Sequence, residues 1–259
     1  MNTRNANPLL TIGLLAASTL LAAAADPDAD QILHQMSDKL AAAQSFSFEA
    51  TRTLDPALVE ELEDLKLPVK AHVTVSVQRP NKIAAHGVSD AGSRLVVADG
   101  HTLSILDEKA NTYAVVPMHT TIDGLVKQLD EKYGFTPPLA EFAVSNPYKD
   151  FHEEAGSVTY LGRAKIGGGF LGLGGVECHH LALKGKEADA ELWIAVGDQL
   201  PRKLVATFHR EGNPQLHVEF HKWNLAAPVS ATDFTFAAPK GAEKIEMLTT
   251  AQMQGLAKP

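Results

Sequence analysis

Apolar side chains recur along this chain with two different periods. Over residues 28–43, Ile32, Leu33, Met36 and Leu40 fall on one helical stripe, with Asp28 or Asp30 placed to cap its start. That spacing predicts an amphipathic helix over Asp28–Ala43. From Ser45 the period drops to two: Phe46 and Phe48 alternate with polar neighbours, as do Val73, Val75 and Val77 with His72, Thr74 and Ser76, and Leu103 and Ile105 with Thr102 and Ser104. Strands are expected there, because successive strand side chains point to opposite faces. Turn-forming residues separate the runs at Arg79-Pro80-Asn81, Asp90-Ala91-Gly92, Asp99-Gly100 and Lys109-Ala110-Asn111. Strands joined by such short turns make an antiparallel meander. An acidic, helix-like stretch, Pro56–Leu67, interrupts the rhythm between the first two strands.

A second helical stripe, Ile122, Leu125, Val126 and Leu129, covers Thr121–Tyr133 and is stopped by Gly134. Prolines at 137, 138 and 147 then divide residues 135–155 into short helical pieces. Strand patterns return at 157–166, 176–184, 189–197, 201–210 and 215–224, followed by a short strand and a frayed tail. Leu192, Ile194 and Val196, like Leu216, Val218 and Phe220, make their strands apolar on one face only. A sheet of that kind needs a cover on its apolar face. The fold expected is therefore α+β: one domain over 26–259, a large curved antiparallel sheet of about ten or eleven strands, curling into an unclosed β-barrel. Thr121–Tyr133 and the pieces within 135–155 are the expected plug or lid over its concave face.

The apolar run Leu9–Leu21 follows an n-region whose one charge is Arg4, and Ala23 and Ala25 precede Asp26-Pro27-Asp28. Residues 1–25 read as a cleavable secretory signal with cleavage after Ala25, which exports the mature chain to an oxidising, cell-envelope-type compartment. The run is shorter than the ~20 residues needed to cross a bilayer, and no Cys follows Ala25 to carry a lipid, so the mature protein is expected to be soluble and not membrane-anchored. Without Arg4 the balance is 22 basic against 31 acidic residues, a formal charge of −9, which disfavours nucleic acid as a partner. The single cysteine, Cys178, excludes an intramolecular disulfide.

Three groups of residues invite a chemical reading. Gly167-Gly168-Gly169-Phe170-Leu171-Gly172 matches a dinucleotide-binding fingerprint, but a strand follows it where a helix N-terminus is required. The Gly167–Gly175 segment then reads as a hairpin loop whose Phe170, Leu171 and Leu173 could close over a cavity or touch a membrane transiently. Cys178-His179-His180 resembles a metal cluster, yet alternation sends Cys178 and His180 to one face and His179 to the other. His217, Glu219 and His221 share one face of a strand and, with His209 across the hairpin, are the candidates for a zinc site; surface histidines on a polar strand face are the plainer reading. No nucleophile elbow, zincin helix or phosphate loop is present, and neither catalytic residues nor a cofactor are expected.

Several segments carry a resemblance. Tyr160-Leu161-Gly162, Val176-x-Cys178-His179-His180-Leu181-Ala182, Glu191-Leu192-Trp193-Ile194, Leu200-Pro201-Arg202-Lys203, Phe220-x-x-Trp223-Asn224-Leu225 and Phe234-Thr235-Phe236-x-x-Pro239 resemble an uncharacterised family of predicted periplasmic bacterial proteins. Arg79-Pro80-Asn81-Lys82, Asp99-Gly100 and the span from Ile122-Asp123 to Tyr133-Gly134 are similar to it in the first half. That family resembles the lipoprotein-carrier superfamily that includes LolA and LolB, which implies an unclosed antiparallel barrel plugged by helices and the binding of lipid, lipoprotein acyl chains or another hydrophobic small molecule. No ligand-contacting residue of the carriers aligns with this chain. From the pattern of the strands, Leu192, Ile194, Leu216, Val218 and Phe220 are the candidate cavity lining, the alternative being a filled core. Three functions stay open: a carrier of a hydrophobic ligand, a non-catalytic envelope interaction module, and a zinc-dependent hydrolase built on His217, Glu219 and His221.

Overall fold

Two meanders are joined edge to edge in this protein by their first and last strands. The computed structural model describes residues 27–256 apart from 62–67, 136, 138 and 169–173. Helix α1 (Ala29–Ala42) starts where the Asp28 carboxylate accepts hydrogen bonds from the amides of Asp30 and Gln31, and it buries Ile32, Leu33, Met36 and Leu40. Strand β1 (Ser45–Leu54) alternates without a break, burying Phe46, Phe48, Ala50, Arg52 and Leu54. A short helix α2 (Pro56–Glu61) leads on to β2 (Lys70–Gln78), β3 (Lys82–Ser89), β4 (Gly92–Ala98), β5 (Thr102–Asp107) and β6 (Thr112–Pro117). Helix α3 (Ile122–Tyr133) is capped by the Thr121 hydroxyl and closed by Gly134 at φ 61°, a left-handed conformation that glycine adopts at no steric cost. A one-turn 3₁₀ helix at Ala140–Phe142 and α4 (Pro147–Glu154) follow.

The second meander consists of β7 (Ala155–Ile166), β8 (Val176–Gly185), β9 (Ala188–Ala195), β10 (Pro201–Phe208) and β11 (Gln215–Asn224). Beyond it come a 3₁₀ turn at Ala231–Phe234, β12 (Glu243–Lys244) and α5 (Thr250–Leu256). The strand order is β12-β6-β5-β4-β3-β2-β1-β11-β10-β9-β8-β7, antiparallel throughout except for the short β12–β6 pair.

This architecture is the expected α+β fold with an unclosed sheet, and it departs from expectation in detail. There are twelve strands instead of ten or eleven among the described residues, because the last pairing adds β12 at the edge. The sheet does not go on to form a barrel: β7 ends the order at one side and the β6/β12 edge at the other, and these are not paired with each other. The expected frayed tail forms α5, which folds back to bring Thr250 Oγ1 within 3.2 Å of the Lys132 carbonyl. Of Pro56–Leu67, Pro56–Glu61 is helical and residues 62–67 lie outside the described residues, as do the signal segment 1–25 and the loop positions Phe170, Leu171 and Leu173.

The junction between the meanders sets which side of the sheet is apolar. Register runs from Leu54 opposite Leu216 to Glu49 opposite His221, then slips so that Ser47 faces Asn224. Three residues of β11 thus span two of β1, and the extra residue falls at Lys222, whose φ is 49°. Simple alternation from Phe220 would point Lys222 inward and Trp223 outward. The bulge reverses both: Lys222 Nζ reaches the Glu49 carboxylate at 2.9 Å on the outer face, and Trp223 stacks on Phe48 at 4.5 Å on the inner one. Phe220 lies 5.8 Å from Phe48 and 4.8 Å from Phe142. Truncation of Phe48 to alanine is expected to cost about 3–5 kcal/mol of stability, and Thr51→Ala, on the other face of the same strand, within about 0.5 kcal/mol. Urea unfolding of the two variants checks this.

Candidate functional site

The inner face of the sheet carries one continuous apolar surface under the helices. Leu192 and Ile194 of β9 and Val218 and Phe220 of β11 are buried there, with Leu216 half-buried beside them. The structure brings together all five residues singled out from the strand pattern, whereas Val196 falls in the turn after β9. Phe46, Phe48, Val75, Val77, Leu181 and Leu183 extend the same surface across β1, β2 and β8. Leu33, Met36 and Leu40 of α1, each 0 % exposed, and Phe142 and Phe151 pack into it. The expected lid was α3 with the 135–155 pieces; α1 forms part of the cover as well, and α3 sits over a smaller cluster of Ala98, Leu103, Met118, Leu125 and Leu129. Its own stripe marked α1 as amphipathic, but only the topology shows which face of which sheet it covers.

A few polar contacts hold the cover together. The Ser37 hydroxyl of α1 accepts from the Tyr148 amide of α4 at 2.8 Å, and the Tyr148 hydroxyl donates to the Asp30 carboxylate at 3.0 Å. Asp123 of α3 accepts from the amide and hydroxyl of Ser145. One side chain ties this cover to the end of β2: Arg79 donates to the carbonyls of Ala143 and Val144 at 2.8 Å each, approaches that of Leu40 at 3.5 Å, and lies 5.6 Å from the centre of the Phe46 ring. Burial lowers the Arg79 pKa from the usual arginine range, with Asp123 opposing that shift. In the sequence Arg79 was legible only as part of an Arg-Pro-Asn turn, since carbonyl acceptors leave no residue-type signal.

The other candidates disperse. Cys178 and His180 face outward and His179 inward, as alternation requires: His180 stacks on Trp193 at 4.2 Å with its Nε2 2.6 Å from Glu191, and His179 lies 3.4 Å from the Tyr160 hydroxyl. His217 pairs with Gln215 at 3.0 Å, His221 with Thr51 at 3.4 Å, and His209 with the Lys186 carbonyl and Asp189. Glu219 and His221 border an open cavity of about 520 Å³ beside Gly167, Gly168 and Gly174. Among the described residues no three His, Cys, Asp or Glu side chains are placed to hold a metal ion. The candidates His209, His217, Glu219 and His221 form no such group. No helix among the described residues is long and apolar enough to cross a membrane.

Comparison with known proteins matches residues 29–248 to the family model described as "Predicted periplasmic protein (DUF2092)". No curated protein matches the chain. Similar solved structures include an uncharacterised conserved protein from Thermus thermophilus, with TM-score 0.47, 11 % identity and coverage of 84 % of this chain and 99 % of that one. A LolA superfamily protein from Nitrosomonas europaea matches with TM-score 0.37 and 10 % identity over 81 % of this chain and 99 % of the other. The Pseudomonas aeruginosa MucA/MucB complex matches with TM-score 0.43 and 14 % identity over 82 % of this chain and 62 % of that one.

Arg79→Met removes the donor from two buried carbonyls and is expected to cost about 1.5–3 kcal/mol, with faster amide exchange in α1 and residues 139–154 and unchanged exchange in β8–β10; uniform exchange throughout would show that Arg79 does not tie the cover down. Burial pushes the Cys178 thiol up to about 11. Its thiolate fraction near pH 8 is then roughly a hundredfold below that of an ordinary thiol. A disulfide reagent should leave Cys178 unmodified in the native protein and titrate one thiol in denaturant.

Proposed function

The chain belongs to the family of predicted periplasmic proteins (DUF2092) that its residues 29–248 match, and from that premise we propose that it is a non-catalytic periplasmic binding or carrier protein for a hydrophobic ligand. The ligand is a lipid or a lipoprotein acyl chain, and residues 1–25 direct export. The observation that carries this reading is the pairing of a continuous apolar sheet face with a cover attached by few polar bonds. Leu192, Ile194, Leu216, Val218 and Phe220 are the sheet side of the site, and Leu33, Met36 and Leu40 of α1 pack onto it.

Magnitudes support an exchange of one for the other. Three buried aliphatic side chains contribute about 5–9 kcal/mol together, and burial of a dozen acyl methylenes about 10 kcal/mol. An acyl chain can thus replace the α1 side chains at little net cost, with Met36 able to repack around it. Near balance suits a protein that loads and unloads. The polar ties of the cover, about 1 kcal/mol each for neutral hydrogen bonds, oppose opening without forbidding it.

A second reading, an interaction module of the envelope with a permanently filled core, is favoured by the depth at which α1 is inserted. The two are separated by purifying the protein without detergent and analysing it by native mass spectrometry, then titrating it with cis-parinaric acid. Co-purified lipid, or probe fluorescence that saturates at micromolar concentration and is displaced by an unlabelled acyl chain, is the expected result. Absence of both would leave only the interaction module.

A further inference from the structure

Strand β1 places an arginine where its alternation calls for an apolar side chain. Phe46, Phe48, Ala50, Arg52 and Leu54 all point to the inner face, and Arg52 is only 4 % exposed. Its neighbours across the ladder are Val218 on β11 and Ala71 on β2, which offer no acceptor from their side chains. Arg52 Nη2 donates to the Pro68 carbonyl at 3.0 Å. Nη1 is buried and donates to nothing among the described residues, and none of their carboxylates forms an ion pair with this guanidinium.

Among the described residues the charge that acts on Arg52 is of the same sign. Arg94 of β4 acts on Arg52 through space, and together with burial it lowers the Arg52 pKa, burial being the larger cause. Arg94 itself has Asp107 at 3.5 Å. A guanidinium held off water without a counter-charge is costly, and the cost is recovered when an anion takes up the free donor. Carboxylate and phosphate match the planar donor fork of arginine, and such charge-assisted bonds are about twice as strong as neutral ones. Arg79, on the same side of the sheet, differs in that both of its terminal nitrogens, the pair that would fork onto an anion, already donate to carbonyls of the cover, only its buried Nε having no acceptor among the described residues.

We propose that Arg52 is the head-group anchor of the apolar site, so that the ligand is an amphiphile with an anionic head, carboxylate or phosphate, at Arg52 and an acyl chain along Val218, Phe48 and Phe220 beneath α1. This assignment rests on the carrier reading and deepens it. From Arg52 to Phe46 along β1 is six residues, about 20 Å at ~3.3 Å per residue, and the face is apolar over that distance apart from Arg52.

The test is displacement of bound cis-parinaric acid at pH 8 by hexadecanoate and by hexadecanol, which share a chain length and differ in the head, with inorganic phosphate as a third competitor. In the wild-type protein hexadecanoate is expected to bind at least about tenfold more tightly than hexadecanol. Arg52→Gln and Arg52→Met remove that preference, bringing the affinities for the two competitors together. The comparison of the two competitors on the wild-type protein needs no variant to fold. Equal affinity for both, or a preference that survives in Arg52→Gln, overturns the anchor while leaving the carrier reading intact. Failure of every amphiphile to bind overturns both. Thermal stabilisation by inorganic phosphate that is lost in Arg52→Gln, without any preference between the two amphiphiles, overturns the amphiphile and identifies a free anion as the occupant.

Discussion

The pairing of β1 with β11 is the contact on which the rest of this structure depends. It joins residues about 170 positions apart and turns two locally formed meanders into one sheet. The chain entropy lost in closing so long a loop grows only with the logarithm of its length, but it must be offset where the strands meet. There the sequence concentrates aromatic area, with Phe48, Phe220 and Trp223 from the two strands and Phe142 from the cover. The bulge at Lys222 is what lets Trp223 join them, so a local backbone irregularity determines the content of the core.

Everything above the inner face follows from that junction. Helix α1 precedes β1 and α4 runs directly into β7, so the two helices are anchored at the centre and at the far edge of the same half of the sheet. They meet each other through Ser37, Tyr148 and Asp30. Two arginines on the sheet side then play different parts: the terminal nitrogens of Arg79 donate to backbone carbonyls of the cover and hold it down, its Nε alone lacking an acceptor, while Arg52 retains a terminal donor that nothing among the described residues satisfies. On the carrier reading, an apolar, covered face on which Arg52 keeps a free donor among the described residues suits a ligand that has both a chain and a charge.

Much of this is legible in the residue pattern. The stripe from Ile32 to Leu40 marks α1, the stripe from Ile122 to Leu129 and the stop at Gly134 mark α3, and the alternation in each run fixes which residues share a face, including the split of Cys178 and His180 from His179. The kinship with a family of predicted periplasmic proteins is carried by short strand motifs such as Glu191-Leu192-Trp193-Ile194. An unclosed sheet is the expected form, but its extent and edges are not legible, because strand periodicity constrains each pair locally and says nothing about how far apart the outer strands end. The grouping of His209, His217, Glu219 and His221 fails for a related reason: a shared face is necessary for a metal site, but convergence depends on side-chain distances that a one-dimensional pattern does not contain.

The sequence by itself determined most of the elements, their buried faces and the five apolar residues of β9 and β11, since these rest on side-chain period and capping within a few residues; α5 was not among them. Only the tertiary structure decided that β1 and β11 are neighbours, that Trp223 points inward, that α1 fills the apolar face, and that both terminal nitrogens of Arg79 find acceptors where one of Arg52's finds none among the described residues. Those outcomes depend on contacts between segments far apart in the chain and on backbone carbonyls, which every residue possesses and no sequence pattern distinguishes.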